Sequence, residues 1–127
     1  MNDLLLDTHA WAWSLGDDRR LSKMARARIA GASTILVSPI SFYEIAQKVR
    51  LGKWPQMASL VDSLPKRLLD QGGTIARLEP EICLRAGAMD WMHRDPFDRV
   101  LAATSLHFKI PLVSADSAFD GVVERIW

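Results

Sequence analysis

The chain has 127 residues, with 16 Lys plus Arg against 15 Asp plus Glu and a formal charge of +1. At roughly 100–200 residues per domain this predicts one domain, residues 1–127, and near-neutrality excludes a polybasic protein held to nucleic acid by bulk charge. Cys83 is the only cysteine, so an intrachain disulfide is excluded. No apolar run approaches the roughly 20 residues of a membrane span, and Met1-Asn2-Asp3-Leu4 lacks the basic head of a signal peptide. The expectation is a soluble cytoplasmic domain with no membrane partner.

Five short strands are predicted in chain order. Leu4-Leu5-Leu6 is compactly apolar, and Thr34 to Ser38 is rich in β-branched residues. Thr74 to Leu78 follows a Gly72-Gly73 break, Leu112-Val113-Ser114 follows Pro111, and Val122 to Ile126 lies near the end. The first, second and fourth are continuously apolar rather than alternating, as expected of strands covered on both faces. Helical patterns fill the intervals: Thr8 to Leu15, Leu21 to Ala32, Pro39 to Leu51 behind a Ser38 cap, Met57 to Leu69, Glu81 to Met92, and Pro96 to Phe108. The segment at about 54–71 is expected to form a helical hairpin projecting from the sheet. Strands alternating with helices imply an α/β fold, a three-layer α/β/α sandwich on a mainly parallel sheet of about five strands.

In such a sheet every strand-to-helix turn lies at one edge, where ligands bind. Asp7 ends the first strand, Glu44 lies early in the helix after the second, Asp98 is in the first turn of its helix, and Asp116 follows the fourth strand. Each has an ordinary alternative role. Asp7 and Asp116 can cap, Ser41 and Glu44 fit a capping box, Glu44 can pair with Lys48, and Asp95 can cap the helix whose first turn carries Asp98. Capping alone does not require acids, since Ser, Thr and Asn cap equally well. Several carboxylates in one place repel unless a cation neutralises them. Hard dications such as Mg²⁺ or Mn²⁺ take oxygen ligands, and three histidines with one cysteine at no ligand spacing make zinc a weaker fit. His9 and His93 are expected to be structural or substrate contacts. A carboxylate-held dication suits phosphodiester hydrolysis, and neither a catalytic triad, a nucleophile elbow nor a Walker loop competes.

Four segments carry a family resemblance: Leu4-Leu5-Leu6-Asp7-Thr8-His9-Ala10, Ser38-Pro39-Ile40-Ser41-Phe42-Tyr43-Glu44-Ile45, His93-Arg94-Asp95-Pro96-Phe97-Asp98-Arg99 and Ser114-Ala115-Asp116. Together, in this order and across essentially the whole chain, they resemble a PIN domain of the VapC toxin type. The resemblance implies a Mg²⁺- or Mn²⁺-dependent single-strand ribonuclease whose catalytic and metal-holding quartet maps onto Asp7, Glu44, Asp98 and Asp116. Asp95 is implied as a companion that reaches the metal through water. Homodimerisation and neutralisation by a cognate antitoxin protein are also implied. Ser114 stands where many relatives place Thr, and it keeps the hydroxyl.

RNA binding needs positive charge near the acids, and Arg94, Arg99, Lys48 and Ser114 are the expected substrate contacts. The denser run from Arg19 to Arg28 also reads as a solvated helical face. Among five tryptophans, Trp11 and Trp54 are expected on a partner groove that an amphipathic antitoxin helix fills. Two alternatives are a phospho-receiver signalling domain and a catalytically inactive PIN-like binding module. The receiver wants adjacent acids after the first strand and an Asp after the third, where this chain has Leu78-Glu79-Pro80. The intact quartet opposes the inactive module.

Overall fold

The computed structural model describes residues 2–127. Strand β1 (Asp3–Leu6) leads through α1 (Thr8–Leu15) and α2 (Lys23–Ala30) to β2 (Thr34–Val37). Helix α3 (Pro39–Arg50) and α4 (Leu64–Asp70) precede β3 (Thr74–Ile75), and α5 (Pro80–Ala88) and α6 (Pro96–Phe108) precede β4 (Leu112–Val113). Strand β5 (Arg125–Ile126) completes an all-parallel sheet of order β3-β2-β1-β4-β5. The chain winds outward from β1 to β3 and then returns to the other side of β1. The gap between the carboxyl ends of β1 and β4 is therefore the switch point at which open α/β sheets bind ligands.

The apolar run of β1 is explained by its two covered faces. Leu4 and Leu6 pack with Ile35, Val37 and Val113 against Trp11 of α1, Ala25 of α2, Ile45 of α3 and Leu68 of α4. Leu5, between them, points the other way and packs with Leu112, Phe119 and Ala102 of α6. Behind that layer, Ala103 of α6 meets Ile82 and Ala86 of α5.

Helix starts follow the local sequence. Ser38 accepts from the Ile40 amide and Pro39 takes the first position of α3, where its missing N–H leaves nothing unsatisfied. Ser22 caps α2 through the Ala25 amide, so that helix begins at Lys23, not Leu21.

Three expectations need correction. The expected hairpin at 54–71 is instead two single 3₁₀ turns, Pro55–Met57 and Val61–Ser63, followed by α4. Pro55 and Pro65 confine helix to stretches where they occupy the first turn. The segment does not project either, because Met57, Leu64 and Leu68 are buried in the core beneath β1. Strand β5 is shorter than the 122–126 run: the amides of Val122 and Val123 both donate to the Phe119 carbonyl in a turn. Helix α5 stops at Ala88, with Met89 already extended, so the stretch from Met89 to Asp95 forms the loop that enters α6.

Candidate active site

The five acids singled out by sequence line one cleft of about 180 Å³ at the switch point, together with Thr8, His9 and Lys48. Backbone and cap chemistry put them there. The Asp7 amide donates to the Val113 carbonyl, tying β1 to β4, and its carboxylate caps α1 by accepting from the Ala10 amide at 2.7 Å. Asp95 caps α6 through the Phe97 and Asp98 amides, which sets Asp98 one turn in. Asp116 follows β4 and accepts from the Ala118 amide at 2.9 Å. Capping and clustering thus coexist, since a carboxylate has two oxygens and about four acceptor directions.

Glu44 is the exception among the caps. Ser38, not Ser41, is the cap of α3, so the Ser41–Glu44 box does not form. Ser41 instead accepts a buried hydrogen bond from the Thr8 hydroxyl at 2.9 Å, which fixes α1 against α3. Glu44 is 5% exposed and pairs with Lys48 Nζ at 2.7 Å.

Burial grades across the cleft, from enclosed Asp7 and Glu44 through half-buried Asp98 to exposed Asp116. Burial pushes the Asp7 carboxyl up from 3.8 to about 6; hydrogen bonds from the Ser114 hydroxyl and the Ala10 amide oppose this, and Asp98 and Glu44 add repulsion. Burial also raises Asp98, with Asp95 and Glu44 adding repulsion against the relief given by His93. Burial lowers His9, reinforced by Lys48 and Arg20 and opposed by Glu44.

The tightest potential ligand set is His93, Asp98 and Asp116, whose ligand atoms lie within 4.8 Å of one another; Asp7 and Glu44 complete the cleft behind it. The donor set fits a hard divalent cation. It is dominated by carboxylate oxygens, and two of those carboxyls are held above their ordinary range by the enclosure and repulsion that a dication relieves.

Several expected contacts lie elsewhere. The Arg99 guanidinium faces inward and spends four of its five N–H donors on the carbonyls of Ala86, Met89, Trp91 and His93; it holds the loop before α6, does not line the cleft and does not pair with Asp95. Ser114 is fully buried; its hydroxyl bonds Asp7 and accepts from the Asp116 amide, so it orients acids rather than touching a ligand. Arg94 is exposed on the loop before α6 and does not line the cleft. Trp11 is fully buried, its indole N–H donating to Gln71, and offers nothing to a partner. Trp54 is half-buried and stacks on His9. The role of His93 as the partner of Asp98 carried no spacing signal; only its place in the loop before α6 hinted at it.

A parallel α/β sheet with an acidic, cation-suited cleft at its switch point defines the class, and the sequence gives the family. The chain belongs to the PIN domain family, whose profile matches residues 4–124. It is 30% identical over 117 residues to Ribonuclease VapC22 of Mycobacterium tuberculosis, covering 91% of this chain and 88% of that one. The fold resembles a toxin–antitoxin complex from Klebsiella pneumoniae, with a TM-score of 0.69 at 18% identity, covering 98% of this chain and 96% of the other. VapBC2 from Rickettsia felis, bound to a DNA fragment from its promoter, superposes with a TM-score of 0.66 at 13% identity, covering 97% and 96%. VapBC-1 from nontypeable Haemophilus influenzae does so at 0.64 and 16%, covering 97% and 96%. Among the described residues no helix is long and apolar enough to cross a membrane.

Proposed function

We propose that this protein is a Mg²⁺- or Mn²⁺-dependent endoribonuclease acting as the toxin of a toxin–antitoxin pair. The observation that carries the proposal is the convergence of Asp7, Glu44, Asp98 and Asp116 on one cleft from widely separated parts of the chain. The 30% identity to a ribonuclease over nearly the full length supports RNA as the substrate.

Asp7, Glu44, Asp98 and Asp116 are the residues that would hold the cation, with Asp95 acting through water. A divalent ion bound among them supplies Lewis-acid stabilisation of developing phosphoryl charge and makes water more acidic. The chain's own groups do the positioning. Ser114 and the Ala10 amide orient Asp7, His93 orients Asp98, and Lys48 pairs with Glu44. An enclosed acid cluster repels phosphate, so the cleft itself receives the scissile phosphate only when a cation is bound there.

The likeness of the fold to toxin–antitoxin assemblies supports a cognate antitoxin as the protein partner. A homodimer in the cytoplasm is part of the same proposal. The test is incubation of labelled single-stranded RNA with the purified protein in Mn²⁺, in Mg²⁺ and in EDTA. Cleavage in either metal and none in EDTA is expected. Metal-independent cleavage, or none with any RNA, overturns the assignment.

A further inference from the structure

A second groove, of about 330 Å³, adjoins the acidic cleft and shares His9 and Lys48 with it. Its chemistry is the reverse of its neighbour's. Among the described residues no carboxylate lines it; its walls carry Arg20, Lys48 and Lys53 together with Trp13 and Trp54. The aromatic rings and cations are interleaved. His9 stacks on Trp54 with ring centroids 4.6 Å apart and tilts against Trp13 at 5.6 Å. Lys48 Nζ lies 5.7 Å from the Trp54 ring centre, and the Arg20 guanidinium lies 5.3 Å from that of Trp13. The turn that closes α3 delivers two of these groups. Gly52 takes a left-handed φ of 72°, and the Lys53 amide folds back onto the Lys48 carbonyl at 2.8 Å, which brings Lys53 and Trp54 to the groove.

Two of the cations are partly spoken for. Arg20 pairs with Asp18 at 2.8 Å and Lys48 with Glu44, whereas exposed Lys53 joins no ion pair among the described residues. The groove therefore keeps net positive charge directly beside a cleft that repels anions.

We propose that this groove binds the single-stranded RNA flanking the scissile phosphate, with Lys53, Arg20 and Lys48 facing backbone phosphates and Trp54 and Trp13 offering faces to bases. The proposal rests on the ribonuclease reading for the identity of the ligand. A single strand presents one negative charge and one π-face per nucleotide, which matches alternating cations and indoles better than it matches the apolar stripe of a partner helix. The division of labour has a consequence: affinity for RNA resides in the basic groove and does not require the metal, whereas cutting does.

The test is fluorescence anisotropy of a fluorescein-labelled single-stranded RNA octamer with the full-length protein in EDTA, at several salt concentrations. The wild type binds without metal. Trp54→Ala weakens binding by about tenfold, and Trp54→Phe retains most of the affinity because a phenyl face still stacks. Lys53→Ala weakens binding and lowers the slope of log Kd against log salt by about 0.7, one phosphate contact on a single strand. Arg28→Ala, the same charge change on the exposed face of α2, leaves that slope unchanged. Circular dichroism melts verify that each variant is folded. If Trp54→Ala and Lys53→Ala bind as the wild type does while RNA is still cleaved in Mn²⁺, the groove assignment is overturned and the ribonuclease reading stands. If RNA is never cleaved in any metal yet binding depends on Trp54 and Lys53, the groove assignment holds and the ribonuclease reading falls. If the two variants lose affinity for polyglutamate but not for RNA, the groove serves an acidic protein partner and the assignment is overturned.

Discussion

His93 Nε2 stands 2.7 Å from Asp98 Oδ2, so the carboxylate in the first turn of α6 is held by an imidazole from the loop that leads into that helix. That contact opposes the burial and the repulsion from Asp95 and Glu44 that push the Asp98 carboxyl up. Asp98→Asn keeps a hydrogen-bonding group toward His93 and removes a charge from a crowded cluster. RNA cleavage is expected to fall by at least about 100-fold, the scale of losing one charge-stabilising group in an active site. The melting temperature in EDTA is expected to hold or rise, because repulsion is relieved. A marked drop in that temperature would assign Asp98 a structural role instead.

Asp7 gives the fold a pH dependence of definite sign. Its carboxyl titrates near 6 when folded and near its ordinary 3.8 when unfolded, so between those values the folded state binds the proton more tightly. The resulting stability is fully present below about pH 3.8 and is lost as pH rises through about 6, for a total of about 3 kcal/mol. Asp7→Asn removes this term and keeps the cap of α1, since Asn caps as well as Asp. In urea unfolding with EDTA, the variant is expected to match the wild type near pH 4 and exceed it near pH 7.5. Saturating Mn²⁺ at pH 7.5 stabilises the wild type and narrows that gap, because a ligand held only by the folded state stabilises it. Equal stability of the two proteins at both pH values in EDTA would show that Asp7 is not strained.

The parallel sheet and the acid cluster were legible because both follow from patterns that survive folding. Leu4-Leu5-Leu6 must be covered on both faces, and turns after parallel strands share an edge, so Asp7 and Asp116 could meet there; that they do depends on β4 pairing directly with β1. What stayed hidden depends on where single side chains point. Arg99 sits beside the cleft in sequence, yet four backbone carbonyls claim it. Trp11 shares a short helix with Trp13, but the former faces the core and the latter a solvent groove. The 54–71 segment reads as helix by composition and breaks into turns because Pro55 and Pro65 each restart the backbone.

Gly73 is required by close approach. A Cβ there would lie 2.4 Å from Leu68 Cδ1, 3.1 Å from Ile35 Cγ1 and 3.2 Å from the Ile35 carbonyl oxygen. The leucine tip can rotate, but the carbonyl belongs to β2 and is fixed by the sheet. Gly73→Ala is expected to destabilise by about 1–3 kcal/mol, as overpacking does. Gly72→Ala meets no neighbour but takes a φ of 75°, so it strains the backbone without a clash. A urea midpoint for Gly73→Ala equal to that of the wild type would show that β3 shifts freely at its start.

Arg99 is expected to matter for the site without touching it. Its Nε donates to the Ala86 carbonyl at 2.8 Å, and its terminal nitrogens bind the carbonyls of Trp91 at 2.7 Å, His93 at 2.9 Å and Met89. These bonds close the loop between α5 and α6, the loop that presents His93 to Asp98. Arg99→Ala leaves those carbonyls without their charged donor, and a loss of about 2–4 kcal/mol is expected by urea unfolding. Arg99→Lys keeps the charge but not the planar fork, so one ammonium cannot span carbonyls from four residues and only part of the stability returns. Under conditions where Arg99→Lys remains folded, its Mn²⁺ affinity, read by calorimetry, is expected to fall because the loop no longer fixes His93 and the start of α6. Wild-type stability and Mn²⁺ affinity in Arg99→Lys would show that the loop holds its shape without the fork.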